Sequence, residues 1–290
     1  MADDLENWTI IFNPTAGTFR PHKLEAVRRV LHAKGVSTHL LATDGPGHAT
    51  ELARKVQGTR LVAAFGGDGT LNEVANGLLG RELPLLFLPG GTANVMAYEL
   101  GISTDPVRAA LAGLTSRPRP VCPGQVNGRA FLLMAGFGLD AEAVLRVNSR
   151  LKWWTGKGAY IWSGLKAGLH RHPKMRADLN GGGRVEGQWL VVARGAHYGG
   201  GFKVHPDAGL LNEQLAMVMV RQLWFVPFLV THLALNLHHE RGGIALRRLS
   251  HCRLESERPV PVHVDGDFFT TASEFELGLA TETVQLCFPR

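Results

Sequence analysis

Residues Phe65-Gly66-Gly67-Asp68-Gly69-Thr70-Leu71-Asn72-Glu73 follow directly on an apolar run over 61–64. A short buried-strand pattern feeds a turn of three glycines, and a helical pattern opens at Thr70. Glycines enter turns closed to other residues and let a ligand come close to the amides. The first amides of a helix have no intrahelical acceptor, and a phosphate suits them. Asp68 has the wrong charge to meet a phosphate directly. It makes chemical sense if a divalent cation lies between carboxylate and phosphate. The turn therefore points to a nucleotide phosphate site with a metal.

Two further turns repeat the theme. An apolar run over 85–88 precedes Pro89-Gly90-Gly91-Thr92-Ala93-Asn94, with Thr92 or Asn94 placed to cap the next helix. Residues 9–12 lead into Asn13-Pro14-Thr15-Ala16-Gly17. Three strand ends bearing polar, glycine-containing turns would converge at one edge of a parallel sheet, where open α/β folds bind ligands.

The elements that must position these turns are legible as an alternation. Strand patterns over 9–12, 38–41, 61–65 and 85–88 are separated by helical patterns over 23–34, 48–57, 70–79, 92–100 and 106–114. Such alternation predicts a parallel sheet with helices on its faces, a three-layer α/β/α nucleotide-binding domain. Arg117-Pro118-Arg119-Pro120 breaks the pattern, which puts a boundary between residues 1–118 and 119–290. Beyond it come strand patterns over 129–136, 175–179, 188–194, 215–220, 244–249, 261–264, 274–277 and 283–288, with helical patterns over 141–153, 158–169 and 223–238. Many strands with turn spacers predict an antiparallel β-sandwich with flanking helices.

Composition narrows the class. The chain has 290 residues, 45% hydrophobic and 19% charged, which is that of a folded protein and excludes extended disorder. No apolar run is long enough to span a bilayer, and the acidic opening Met-Ala-Asp-Asp-Leu-Glu has no signal-peptide profile. Cys122, Cys252 and Cys287 are far apart, with no metal-ligand spacing, and fit a reducing, cytoplasmic setting. A net charge of +6 favours anionic surfaces. No nucleic-acid-binding motif stands out, so the charge reads either as a solvated basic face or as peripheral contact with an anionic membrane surface, at its inner face. Trp153-Trp154 and the stretch around Trp224 and Phe228 fit either a core or a membrane interface. The histidines at 170, 172, 238 and 239 lack zinc-helix spacing and read as surface.

The ordered set of motifs resembles the diacylglycerol kinase catalytic-domain family of lipid kinases, which includes sphingosine kinases and bacterial relatives. The motifs are Asn13-Pro14 with Gly17, Gly47-His48-Ala49 with Glu51-Leu52-Ala53, Gly66-Gly67-Asp68-Gly69-Thr70 with Asn72-Glu73-Val74, and Pro89-Gly90-Gly91-Thr92-Ala93-Asn94. Gly136-Phe137-Gly138-Leu139-Asp140-Ala141, Gly156-Lys157 with Ala159-Tyr160, and Val264-Asp265-Gly266-Asp267 complete it. The Gly-Gly-Asp-Gly turn alone is shared with NAD kinases; the full series is more specific.

The resemblance implies transfer of the γ-phosphoryl of ATP, with Mg²⁺, to a lipid hydroxyl: diacylglycerol, a sphingoid base or a phosphatidylglycerol-like lipid. A non-catalytic nucleotide or lipid binder and an NAD-kinase-like enzyme are the alternatives. It also implies a nucleotide domain and a β-rich domain facing each other across a cleft. Asn13, Pro14, Thr43, Gly66, Gly67, Asp68, Gly69, Thr70, Glu73, Gly90, Gly91, Thr92 and Asn94 are the implied nucleotide-binding residues. Asp68 and Asp267 are the implied metal residues, and Asp68 and Asp265 the implied catalytic pair, with Asp265 as the base. Asp265-Gly266 is also a strong hairpin-turn signal, and Asp140 reads as a helix cap or as a neighbour of the lipid site. Val95, Asn212 and Ala216 stand where relatives often carry aspartate. The structural magnesium site that some bacterial members build is therefore not expected here.

Overall fold

The computed structural model describes residues 6–146, 172–180, 182–198, 202–223 and 243–290. These fall into two units, one running up to Cys122 and taking in Glu282–Arg290, the other Pro123–Thr281.

The first unit follows the alternation read from the sequence: β1 (Glu6–Phe12), α1 (Pro21–His32), β2 (Val36–Ala42), α2 (His48–Lys55), β3 (Leu61–Gly66), α3 (Asp68–Leu78), β4 (Pro84–Pro89), α4 (Val95–Leu100) and α5 (Pro106–Gly113). The sheet order is β2-β1-β3-β4, all parallel. The chain moves from β1 outward to β2 and returns to the other side of β1 as β3, so the direction of winding switches between β1 and β3. That reversal opens a crevice at the strands' carboxyl ends. Strand β3 is buried along its whole length, as a doubly covered parallel strand must be. Alternate side chains divide between the faces. Ile10, Ala63, Phe65, Leu86 and Leu88 pack with Leu24, Val27, Leu31, Ala109 and Ala110 of α1 and α5. Helices α2 and α3 pack closely on each other, and a Cβ at Gly77 would meet the Ala53 Cβ at 2.6 Å.

Two features depart from the sequence reading. The division falls after Cys122, so Arg117-Pro118-Arg119-Pro120 does not end the first unit but forms its strand β5 (Arg117–Val121). It pairs antiparallel with the last strand of the chain, β18 (Val284–Phe288), which joins β4 in parallel. Proline cannot donate to a ladder, so its place in a sheet is an edge, and β5 is the edge. Residues 119–290 are thus not one β-rich domain, because the chain returns to the first sheet at its end.

The second unit contains β6 (Gly124–Val126), β7 (Arg129–Phe131), β8 (Met134–Gly138), α6 (Leu139–Arg146), β9 (Met175–Leu179), β10 (Arg184–Gly187), β11 (Trp189–Ala193), β12 (His197–Tyr198), β13 (Phe202–Lys203), β14 (Leu215–Val220), β15 (Ile244–Leu249), β16 (His251–Val264) and β17 (Asp267–Leu279). The order is β15-β14-β11-β8-β16-β17-β6-β7, with β9 on β16 and β10 on β9. Strand β16 pairs β9 through its first half and β8 through its second. Register shifts lie at Glu255/Val260 and Val262/His263. Bulges of this kind bend a strand and let one sheet fold over a shared core. That core contains Phe131, Phe137, Leu190, Met217, Leu254 and Phe275, with Phe137 and Phe275 edge to face at 5.2 Å. The result is the expected β-sandwich. The helices expected over 158–169 and 223–238, Trp153-Trp154, the Trp224 stretch, Lys157 and the histidines at 170, 238 and 239 lie outside the described residues.

Candidate active site

In the first unit the three turns do converge, and hydrogen bonds knit them together. Asn13 N donates to Phe65 O at 3.0 Å, tying the end of β1 to that of β3. Asn13 Oδ1 accepts from Thr15 N and Thr15 Oγ1, closing the turn after Pro14. Thr18 N donates to Gly90 O and Gly90 N to Gly66 O, which joins the other two turns. Thr43, just past β2, is buried and donates its amide to Phe12 O.

The approach is so close that side chains are excluded. A Cβ at Gly91 would lie 2.5 Å from Gly67 Cα, and one at Gly66 would lie 2.4 Å from Thr70 Oγ1. Thr92 Oγ1 fills the space beside Gly17, where a Cβ would meet it at 2.4 Å. Asn94 takes the left-handed conformation, φ 48°, and is buried. Its side chain accepts from Gly91 N at 2.9 Å and donates to Gly91 O at 2.8 Å. It therefore locks the glycine turn rather than capping α4, and α4 begins at Val95 instead of residue 92.

The cap of α4 comes from Asp68. Helix α3 starts at Asp68, two residues earlier than its pattern predicts, with Gly67 before it and Gly69 in its first turn. The Asp68 carboxylate accepts Val95 N at 3.0 Å and Met96 N at 2.9 Å. Glu73 does the equivalent service for α2, accepting Gly47 N at 2.8 Å and Ala49 N at 3.1 Å. The sequence did not reveal these capping roles, because donor and acceptor lie more than twenty residues apart.

In the second unit Asp265 and Gly266 form the two-residue turn between β16 and β17, with φ of 50° and 88°. Positive φ at both central residues is the hairpin geometry that Asp-Gly favours. The hairpin reading is thus right for the backbone. The side chain does more: Oδ2 accepts Leu132 N, and Oδ1 accepts Leu133 N and Met134 N, each at 2.8 Å. Asp265 N returns a bond to Met134 O at 2.9 Å. Asp267 is exposed at the start of β17.

Asp140 lies within the first turn of α6, and its Oδ1 accepts Ala141 N. Its Oδ2 sits 3.0 Å from Nε2 of His263, a residue the sequence reading passed over. His172, expected at the surface, is buried with Nδ1 3.3 Å from Glu142 Oε1. Arg194, just past the end of β11, is also buried. Its guanidinium donates to the carbonyls of Gly209, Leu210 and Asn212. Asn212 donates to Asp207 O, and Ala216 is buried in β14.

The described residues hold no group of three or more His, Cys, Asp or Glu side chains able to cage a metal. Magnesium is seldom caged by protein alone; it keeps waters and shares one or two carboxylates with substrate phosphates. A single carboxylate, Asp68, at the mouth of a glycine cradle fits that chemistry.

A switch-point crevice with a glycine cradle, joined to a β-sandwich unit, is the architecture of a nucleotide-binding protein. The diacylglycerol kinase catalytic domain family matches residues 7–126, and the YegS C-terminal NAD kinase beta sandwich-like domain matches residues 134–276. A diacylglycerol kinase of Bacillus subtilis is 30% identical over 270 residues, 89% of each chain. A Chromohalobacter salexigens protein named probable lipid kinase YegS-like is 31% identical over 275 residues, 91% of this chain and 87% of that one. A crystal structure from Bacillus anthracis assigned as a diacylglycerol kinase superposes with a TM-score of 0.80 at 25% identity, covering 98% of this chain and 97% of its own. The chain belongs to the diacylglycerol kinase family, and is an enzyme of its class, the ATP-dependent lipid kinases. No helix among the described residues is long and apolar enough to cross a membrane.

Proposed function

We propose that the protein transfers the γ-phosphoryl group of ATP to the hydroxyl of a membrane lipid, with diacylglycerol as the first acceptor to test and a sphingoid base or phosphatidylglycerol-like lipid next. The observation that carries this reading is the cradle in which Gly66, Gly67, Gly90 and Gly91 pack backbone on backbone, with Asp68 fixed at its rim. Phosphoryl transfer asks the protein mainly for positioning and charge stabilisation. Gly90 N and Gly91 N are engaged inside the cradle, so the phosphate oxygens would be met by the start of α3, at the positive end of its dipole. Thr70 and Asn94 pack against the cradle glycines, Thr92 against Gly17, and Asn13 and Thr43 would bind from the ends of β1 and β2. Asp68 would hold Mg²⁺, directly or through water; when bound, the ion neutralises phosphate charge.

Asp265 would accept the proton of the lipid hydroxyl. Its three amide bonds, one to Oδ2 and two to Oδ1, fix the carboxylate's direction. Asp267 would touch the metal only through water. Relatives named as diacylglycerol and lipid kinases support the acceptor class. Peripheral contact with an anionic bilayer would deliver such an acceptor to a basic protein.

The test is transfer of label from γ-labelled ATP to a panel of lipids in mixed micelles with Mg²⁺, beside the Asp265→Asn variant. The expected result is one labelled lipid, formed by the unmodified protein alone. ATP binding without any labelled lipid, or label on NAD instead, would overturn the lipid assignment.

A further inference from the structure

Behind the Asp265 turn lies a buried pair that the reaction as described does not use. His263 and Asp140 are 4% and 6% exposed, and Nε2 of the one is 3.0 Å from Oδ2 of the other. Two charged or polar side chains enclosed at this depth require satisfied hydrogen bonds. Each has them. Asp140 Oδ1 accepts Ala141 N at 2.9 Å, and His263 Nδ1 accepts Gly266 N at 3.3 Å. Because Nδ1 accepts an amide hydrogen, the ring proton sits on Nε2 and is donated to Asp140. The carboxylate thereby fixes both the tautomer and the plane of the ring.

The fold makes room for this pair and for nothing larger. His263 lies opposite Gly136 in the β16–β8 ladder, and a Cβ on Gly136 would come within 2.0 Å of Asp140 Oδ2 and 2.3 Å of His263 Nε2. The register shift at Val262/His263 turns the histidine to this position two residues before Asp265. A continuous relay follows, from the start of α6 through Asp140 and His263 to the Gly266 amide, the second residue of the turn whose first is Asp265.

We propose that His263, oriented by Asp140, is a positioning residue for Asp265: it holds the Asp265-Gly266 turn so that the carboxylate keeps its aim at the acceptor hydroxyl. The inference rests on the reading of Asp265 as the proton acceptor. The turn's backbone is one that Asp-Gly favours, and the bond at Gly266 is what ties it to the buried pair behind it.

Two substitutions separate the halves of the relay. His263→Gln places an amide where Nε2 was, within reach of Asp140, but offers no acceptor to Gly266. His263→Asn places an oxygen where Nδ1 was, able to accept from Gly266, but is too short for Asp140. Steady-state turnover, KM for ATP and melting temperature are measured for both, beside Asp265→Asn. The expected result is that His263→Gln lowers kcat by about 10- to 100-fold with KM for ATP unchanged, and that His263→Asn recovers most of that loss although it leaves Asp140 without its partner. Losses that follow melting temperature in both variants, or wild-type turnover in His263→Gln beside an inactive Asp265→Asn, overturn the positioning role alone. Full turnover in Asp265→Asn overturns the reading of Asp265 itself, and the positioning role with it.

Discussion

Asp68 Oδ1 accepts the amide hydrogen of Met96 at 2.9 Å, across a sequence separation of 28 residues. One carboxylate at the start of α3 thus closes the start of α4, and the glycine turns before both helices are bound to each other through it. Asp68 has a structural task whatever else it does, so removing it tests two things at once. Asp68→Ala withdraws both acceptors from Val95 and Met96 and is expected to cost about 1–3 kcal/mol of stability. Asp68→Asn keeps one acceptor and is the cleaner probe. It should lower kcat on the order of 10²-fold or more, by loss of charge at the phosphate site, with a smaller fall in melting temperature than Asp68→Ala. Equal turnover in Asp68→Asn and wild type would confine Asp68 to capping.

Gly91→Ala should damage nucleotide binding without touching a polar group. Its Cβ would meet Gly67 Cα at 2.5 Å, and a backbone atom cannot rotate away. Forcing the two turns apart costs about 1–3 kcal/mol, as overpacking does. Borne by the nucleotide site, that is a loss of about tenfold or more in ATP affinity. Gly45 provides the control, since a Cβ there would have nothing within 4 Å. Calorimetric titration with ATP should show the weakened binding in Gly91→Ala and none in Gly45→Ala. Equal affinities would mean that ATP does not rest on this cradle.

What the sequence disclosed and what it hid divide along a physical line. Strands β3, β4, β9, β14 and β15 are contiguous apolar or alternating runs, and their patterns place them to within a residue. The glycine turns were legible because only glycine tolerates such approach. Hidden were interactions whose partners are distant in sequence. Glu73 looked like a nucleotide ligand, yet its carboxylate caps α2. The prolines of β5 looked like a domain boundary because their tolerance depends on lying at a sheet edge, which only the pairing with β18 establishes. His263 carried only a faint signal, its place two residues before Asp265. Nothing local showed that Asp140 would meet it.

Arg194 invites a stability prediction. Its Nη1 donates to Gly209 O at 3.0 Å and Asn212 O at 2.7 Å, its Nη2 to Leu210 O, and its backbone amide to Leu133 O. The rigid guanidinium fork reaches carbonyls that a single ammonium cannot span. Arg194→Lys should therefore destabilise the β-sandwich unit by about 2–4 kcal/mol, since it strands buried acceptors. Chemical denaturation measures this directly. Because Leu133 also donates its amide to Asp265, the damage should reach turnover as well, in proportion to stability lost near that strand. An unchanged unfolding midpoint would show that the carbonyls find water in place of Arg194.

The buried thiols add a pH dependence on the alkaline side. Burial first, then the carboxylates of Asp178 and Glu276, pushes the Cys252 thiol from 9.0 up to about 12. Burial pushes Cys287 up to about 11, against a lowering hydrogen bond with Ser116. Between the unfolded value and these folded values the unfolded chain binds fewer protons. Stability therefore falls as pH rises through that window and is untouched by these groups below it. Each thiol contributes a slope of up to about 1.4 kcal/mol per pH unit. Urea unfolding followed from about pH 8 to about pH 10.5 should show this decline, and Cys252→Ala should make it shallower. The variant loses some packing at every pH, so the slope rather than the absolute stability is the readout. Lysine and tyrosine titrate in the same range but contribute equally to both proteins, so they cancel in the comparison. Parallel slopes would mean that Cys252 ionises as readily in the folded protein as in the unfolded chain, and that its enclosure in β16, between β9 and β17, is looser than the packing implies.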